Sequence, residues 1–358
     1  MGETIRVVVV GAGHMGASHA RAYHQLNGFE LVGIVAPTPA RRSKLAKELG
    51  GIAEYDNLKE ALDQTKPDAV SVSSYPDTHY EYAMQSLNFG AHLFIEKPLA
   101  VTVKEAEEIV ELSAEKNLKI VVGYILRVHP AWTEFTKIAQ TFGKPLVMRM
   151  NLNQQSLGDR WETHKMLMKS MSPIVDCGVH YVDVMCQMTR SKPVRVQAIG
   201  AKLSEEIDKN MYNYGHLHVV FEDGSVGWYE AGWGPMISET AFFVKDVVGP
   251  KGSVSIVDPN SVKRTESSDI EGHTKTNSLL IHRIEKNHGG AWIAKDEIID
   301  MSDEPDHQEL CNREQIFFRD AILNDSDLTD HLEDAVNSLR IVLAADESFK
   351  TGKVIELR

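Results

Sequence analysis

The chain has 358 residues, 42% of them hydrophobic and 25% charged, which is the balance of a globular protein with room for two domains and not of a disordered or fibrous one. Its 51 acidic against 38 basic side chains give a net charge of -13, which repels nucleic acid and anionic membrane surfaces over most of the exterior. Three cysteines, Cys177, Cys186 and Cys311, without CxxC spacing, suggest neither a disulfide framework nor a zinc knuckle.

Short apolar runs at residues 5–10, 30–35, 69–73, 92–95 and 119–122 read as strands, and amphipathic stretches between them read as helices, the pattern of a parallel α/β sheet. Two of those helices carry start signals: Thr38 before Pro39, and Thr102 three residues ahead of Glu105. Beyond Gly123 the segments 146–154, 194–202, 216–221, 226–231 and 241–248 alternate in hydrophobicity and predict an antiparallel sheet. Turns at Glu222-Asp223-Gly224 and Gly249-Pro250-Lys251-Gly252 separate such runs. One helix, 173–189, interrupts this sheet and two more, 307–323 and 331–350, close the chain, while 258–276 is the most loop-like stretch. The expected division is residues 1–123 and 124–358.

Gly11-Ala12-Gly13-His14-Met15-Gly16 joins the first strand to the first helix. A strand ending in Gly11 and a helix beginning near His14 present backbone N–H groups to a pyrophosphate, with Gly11 and Gly13 permitting close approach and Gly16 close packing. An acid that would bind the ribose 2'-hydroxyl is missing at the end of the second strand, where the chain reads Ala36-Pro37-Thr38. Arg41 and Arg42 follow, so the expected cofactor is NAD(P), leaning to NADP.

Glu96-Lys97-Pro98 stands at the carboxyl end of another strand, where an open parallel sheet keeps its ligand cleft. Pro98 biases Lys97 to an extended backbone, and the ammonium offers charge and a donor to an alcohol oxygen that becomes a carbonyl. After the Ser172-Pro173 cap, Asp176, His180, Asp183 and Gln187 share one helix face, and Val175, Val179, Val182 and Cys186 another. The first set is either a wet face or a proton-transfer site in which a carboxylate orients an imidazole. For a metal the histidines are poorly spaced: His14, His19 and His24 rotate around their helix, and His216 and His218 lack a carboxylate or cysteine partner.

Taken together, Gly11 to Gly16, Glu96-Lys97-Pro98, and Asp176-xxx-His180 followed by Asp183 resemble the signature of the Gfo/Idh/MocA oxidoreductases, the group of glucose-fructose oxidoreductase and inositol dehydrogenase. Tyr124 to Pro130 is similar to that family's segment crossing into the second domain, and Ser74 to His79 to its nicotinamide-side loop, with Tyr75 where proline is usual. The resemblance implies an α/β protein: a Rossmann doubly wound parallel sheet, then an α/β domain with a large open, mostly antiparallel sheet that often forms a subunit interface. It implies oxidation or reduction of a ring carbon on a sugar or cyclitol, with His180 as acid/base, Asp176 its partner and Lys97 near the reacting oxygen; which of Lys97 and His180 takes the proton is left open. It adds Thr38, Ser74, Pro76, His79 and Glu96 to the cofactor contacts. Tyr124, Arg127 and Arg160 join Lys97, Asp176 and His180 as substrate contacts, with Trp161 and His164 in the same region.

Two alternatives stand beside the dehydrogenase: a lyase or glycosidase that oxidises its substrate transiently, and a non-catalytic NADPH-responsive regulator, against which Lys97, Asp176 and His180 occurring together argue. No apolar stretch approaches the roughly 20 residues that cross a bilayer. The start of the chain shows neither a signal peptide nor a myristoylation signal, so the expectation is a cytoplasmic homo-oligomer joined through its C-terminal sheet, without metal.

Overall fold

The structure, a computed structural model, describes residues 4–238, 244–257 and 276–357. It divides into two compact units, residues 1–125 with 306–336, and residues 126–305 with 337–358.

In the first unit β1 (Ile5–Val10), β2 (Phe29–Val35), β3 (Glu54–Tyr55), β4 (Ala69–Val72), β5 (His92–Glu96) and β6 (Ile120–Gly123) form one parallel sheet in the order β3-β2-β1-β4-β5-β6. Five of the six are the expected strands, with ends shifted by at most one residue; β3 is two residues long and too short to show a period. Valine-rich runs suit this position because both faces of a parallel sheet are covered, and Val7, Val8 and Val9 are fully buried. The intervening helices are α1 (His14–Gln25), α2 (Pro39–Glu48), α3 (Leu58–Thr65), α4 (His79–Phe89) and α5 (Val103–Glu115). Thr102 and Glu105 close the expected capping box on α5, whereas the Thr38 side chain makes no cap bond on α2. Strand order reverses between β1 and β4, and in such sheets the ligand crevice lies off the carboxyl ends at that reversal.

The second unit opens with α6 (Pro130–Gln140), α7 (Asp159–Leu167), α8 (Pro173–Asp176) and α9 (Gly178–Thr189). Its sheet runs β14-β13-β12-β11-β7-β10-β9-β8-β15. The strands are β7 (Val147–Gln155), β8 (Pro193–Ala201), β9 (Tyr214–Phe221), β10 (Val226–Gly234), β11 (Lys245–Gly249), β12 (Gly252–Val257), β13 (Ser278–Lys286), β14 (Trp292–Asp300) and β15 (Ile355–Glu356). Every neighbouring pair is antiparallel except β7 with β10.

Several of these elements escape periodicity. Nearly all of β14 is exposed, so neither face demands apolar residues. On α7 the apolar side chains do not gather on one face. The expected helix 173–189 is divided at Cys177 into α8 and α9. Residues 239–243 and 258–275, which hold the start of the expected strand 241–248 and nearly all of the expected loop, lie outside the described residues.

Residues 306–336 return to the first unit, which corrects a single cut after residue 123. The reason is apolar: α10 (His307–Leu323) and the start of α11 (Thr329–Thr351) bring Phe318, Ala321 and Leu328 into a core with Val7, Tyr23, Ile34 and Phe94. His331 on α11 accepts a hydrogen bond from the Val122 amide at 2.9 Å, fixing that segment to β6.

Candidate active site

The β1–α1 loop divides the labour of its three glycines. Gly11 has φ +111°, and a Cβ there would stand 2.3 Å from the Ser73 carbonyl oxygen; at Gly16 it would stand 2.2 Å from the Gly11 carbonyl oxygen. Those two glycines allow the tight turn and the seating of α1 on the strand. Gly13 differs, because a Cβ would meet nothing within 4 Å. Backbone packing therefore does not require that glycine, whereas a ligand lying against the loop would. Gly13 is also the N-cap of α1 and brings no side chain to its first N–H groups, leaving the positive end of the helix to an anion. The residues present fit a dinucleotide pyrophosphate held by the His14, Met15 and Gly16 end of α1.

Two side-chain bridges tie this loop to the other candidate segments. His19 of α1 lies 2.7 Å through Nε2 from Glu96 Oε1, and Glu96 Oε2 accepts the Lys97 amide at 3.2 Å, so the helix that starts at the loop also fixes the strand end bearing Lys97. His79 joins the turn after β4 to the same place: Nδ1 is 2.8 Å from the Pro98 carbonyl oxygen and Nε2 3.2 Å from that of Ser74. Burial pushes the His79 pKa down, while its hydrogen bonds to the Pro98 and Ser74 carbonyl oxygens pull it back up. Ser74 and Thr78 share a hydroxyl bond at 2.7 Å across this turn, with half-buried Pro76 opening its 3-10 segment and Tyr75 73% exposed. The Lys97–Pro98 peptide is cis, and the Lys97 side chain is half-buried. Gly11 to Gly16, Ser74 to His79 and Glu96 to Lys97 thus gather at the carboxyl ends of β1, β4 and β5.

Four expected contacts are corrected. Arg42 does not face a 2'-phosphate: its guanidinium turns inward to the carbonyl oxygens of Ala36 and Tyr55 and pairs with Glu54 and Asp56, because those carbonyls at the sheet end need donors. Arg41 and Thr38 are exposed. Glu96 and His79 are buried, the first holding the His19 ring and the Lys97 amide and the second the Pro98 and Ser74 carbonyls, so they position the site instead of lining it. Tyr124 is buried, its ring edge against His331 at 6.3 Å, and presents no surface to a substrate.

In the second unit Asp176 closes α8 and His180 lies in the first turn of α9, both half-buried. Ser172 accepts the Val175 amide at 3.2 Å and so caps α8 as expected. The proposed wet face is not wet throughout: Asp183 is fully buried and its two oxygens take Arg127 Nη2 at 2.6 Å and Nε at 2.8 Å. This fork commits Arg127, which corrects its assignment as a substrate contact, while Arg160 is exposed.

Sequence reasoning passed over the support behind Asp176. Gln154 on β7 accepts Trp233 Nε1 at 2.7 Å and the Cys177 thiol at 3.6 Å, joining two strands to the α8–α9 corner. His164 stacks on Trp233 with ring centroids 4.2 Å apart and lies 2.7 Å from the Ser156 hydroxyl. Burial pulls its pKa down to about 4 against the field of Asp176, with Arg160 acting in the same direction as burial, so this second imidazole is neutral at pH 7. The aromatic stack was visible only in three dimensions, since His164 and Trp233 lie on α7 and β10.

A glycine cradle at the reversal of a parallel sheet, a lysine at the end of a neighbouring strand and a second unit built on a large mixed sheet define the class of two-domain nicotinamide-dependent oxidoreductases. Comparison narrows the class. Residues 5–124 match the family model described as "Oxidoreductase family, NAD-binding Rossmann fold", and residues 138–255 match the "GFO/IDH/MocA C-terminal domain". The chain belongs to the Gfo/Idh/MocA oxidoreductases. It is 24% identical to a scyllo-inositol 2-dehydrogenase (NAD(+)) of Bacillus subtilis over all of this chain and 97% of that one. Against a UDP-N-acetylglucosamine 3-dehydrogenase of Acidithiobacillus ferrooxidans the identity is 29%, over 57% of this chain and 61% of that relative's length. Scyllo-inositol dehydrogenase of Lactobacillus casei, solved with NAD(H) and scyllo-inositol, shares the fold with a TM-score of 0.76 at 21% identity over 99% of both chains. Among the described residues no helix is long and apolar enough to cross a membrane.

Proposed function

We propose that this protein moves a hydride between a nicotinamide cofactor and a ring secondary alcohol or ketone of a sugar, sugar derivative or cyclitol. The observation that carries the reading is the open space over Gly13 at an uncapped helix end, tied by His19 and His79 to the strand end that presents Lys97. The dehydrogenases of inositols and of a nucleotide sugar among its relatives support the substrate class. When bound, the nicotinamide accepts or returns the hydride. Lys97 gives positive charge to the substrate oxygen, and His180, oriented by Asp176, exchanges a proton at neutral pH.

Exposed Arg41 and Thr38, with no acid at positions 36–38, favour NADP over NAD in this reading. A panel of polyols and sugars followed by nicotinamide absorbance is expected to show net reduction with at least one cyclic polyol. Arg41→Ala is expected to weaken NADPH about tenfold, the value of one charge-assisted contact, and to leave NADH unchanged. Substrate breakdown without net reduction would replace the dehydrogenase by the transient-oxidation reading, and an unchanged NADPH affinity would remove Arg41 from the site.

The outward face of the second unit's sheet completes the proposal. Val147, Ile199, Val226 and Val248 are exposed there, and Val147 and Val226 line a hollow of about 550 Å³ together with Trp228 and His218. Such an apolar sheet face suits a second copy of the chain. Light scattering of the purified protein is expected to give a dimer or tetramer that Val226→Glu shifts towards monomer; a monomeric wild type would refute it.

A further inference from the structure

The first unit holds a buried cluster that hydride transfer does not use. His19 of α1 and Cys311 and Glu314 of α10 each bring one donor atom to within 4.8 Å of the others. All three side chains are buried, Glu314 at 3% exposure, and neither carboxyl oxygen of Glu314 has a hydrogen-bond partner. A polar group withdrawn from water without a partner is expensive, so this one points to a ligand. We propose that His19, Cys311 and Glu314 form a site for a zinc-class divalent transition-metal ion, with His307 at its mouth.

The donor set selects the ion. An imidazole nitrogen, a thiolate and a carboxylate together are ligands for Zn²⁺ and its neighbours in the first transition row, whereas Ca²⁺ and Mg²⁺ take oxygen alone. His19 is prepared for the role. Its Nδ1 lies 2.9 Å from the Gln315 amide nitrogen, a donor, so Nδ1 carries the lone pair and Nε2 gives its proton to Glu96. A carboxylate behind the ring is the usual outer support of a metal-bound histidine. Binding asks the Gln315 amide to release that one bond.

One divalent ion balances the charge of one thiolate and one carboxylate, which avoids the cost of an isolated buried charge. Ligand bonds of about 2.0–2.3 Å require the three donors to draw in by roughly 1 Å. Entry is from the loop side: half-buried His307 stands 3.6 Å through Nε2 from Cys311 Sγ, one helical turn away, and its ring is 5.3 Å from that of exposed His14. An ion here would pin α10 to α1 and, through His19 and Glu96, to the strand end of Lys97.

The test uses the full-length protein freed of metal by a chelator and titrated with CoCl₂. A thiolate-to-cobalt charge-transfer band is expected that saturates at one Co²⁺ per chain and is bleached by one equivalent of ZnCl₂. Cys311→Ser is expected to abolish it, Glu314→Gln to weaken Co²⁺ binding about tenfold or more, and the double variant Cys177→Ala/Cys186→Ala to retain it. The absence of a band in the wild type, a band that survives Cys311→Ser, or its loss from a folded Cys177→Ala/Cys186→Ala protein overturns the site.

Discussion

Replacing Lys97 by alanine, and separately His180 by alanine, is expected to lower turnover about a hundredfold to ten-thousandfold, the usual worth of a positioned acid or base. Affinity for the dinucleotide should change by less than about fivefold. The split follows from where the groups stand. In the proposed function pyrophosphate recognition rests on the backbone of Gly11 to Gly16 and on α1, which neither substitution touches. In the proposed site Lys97, at the end of β5 where Glu96 holds its amide, meets the reacting oxygen and not the phosphates. His180 begins α9 beside the Asp176 corner that Gln154, Cys177 and Trp233 brace. An oxidation needs the hydroxyl proton removed as the hydride leaves, and only one of the two groups can be its first acceptor. If His180 is that acceptor, the acid limb of kcat/KM persists in Lys97→Ala and vanishes from the residual activity of His180→Ala. Stopped assays supply the rates and NAD(P)H fluorescence the affinities; wild-type turnover in both variants would refute the roles.

The parallel sheet was legible because strands buried on both faces must be apolar along their length, and Val7 to Val10 leave no other reading. The capping box at Thr102 and the Ser172 cap were legible for a similar reason, since a helix start is a local demand. What the chain concealed is what depends on distance. Nothing near Arg42 tells that the Ala36 and Tyr55 carbonyls will claim its guanidinium, and periodicity on α9 could not show that Asp183 is dry. Residues 306–336 belong with the first unit because three apolar side chains complete a core laid down some three hundred positions earlier. The same distance hid the cluster of His19 with Cys311 and Glu314: the histidines of α1 taken by themselves gave no metal geometry.

Cutting the Arg127–Asp183 fork on one side should cost the second unit about 3–5 kcal/mol, the penalty of leaving one buried charge without its partner. Asp183 is fully buried, and Arg127 has 14% of its side chain exposed, so Arg127→Met strands the carboxylate while keeping much of the arginine's apolar bulk. The double variant Arg127→Met/Asp183→Leu should recover most of the loss, because an apolar pair in the same space carries no desolvation penalty. All five tryptophans lie between residues 132 and 292, inside the second unit, so urea unfolding followed by tryptophan fluorescence reports the unit that contains the fork. The pH dependence gives an independent check on sign. Burial lifts the Asp183 carboxyl above its ordinary range, with Arg127 and then Gln187 pulling it back down. Removing Arg127 lifts it further, so the folded variant binds a proton that the unfolded chain releases near pH 4. Its stability is then greatest in acid and falls as the pH rises through the folded pKa, so the deficit against wild type is smaller at pH 5 than at pH 8. Equal deficits at the two pH values, or losses that simply add in the double variant, would show that Asp183 is not a charge held by Arg127.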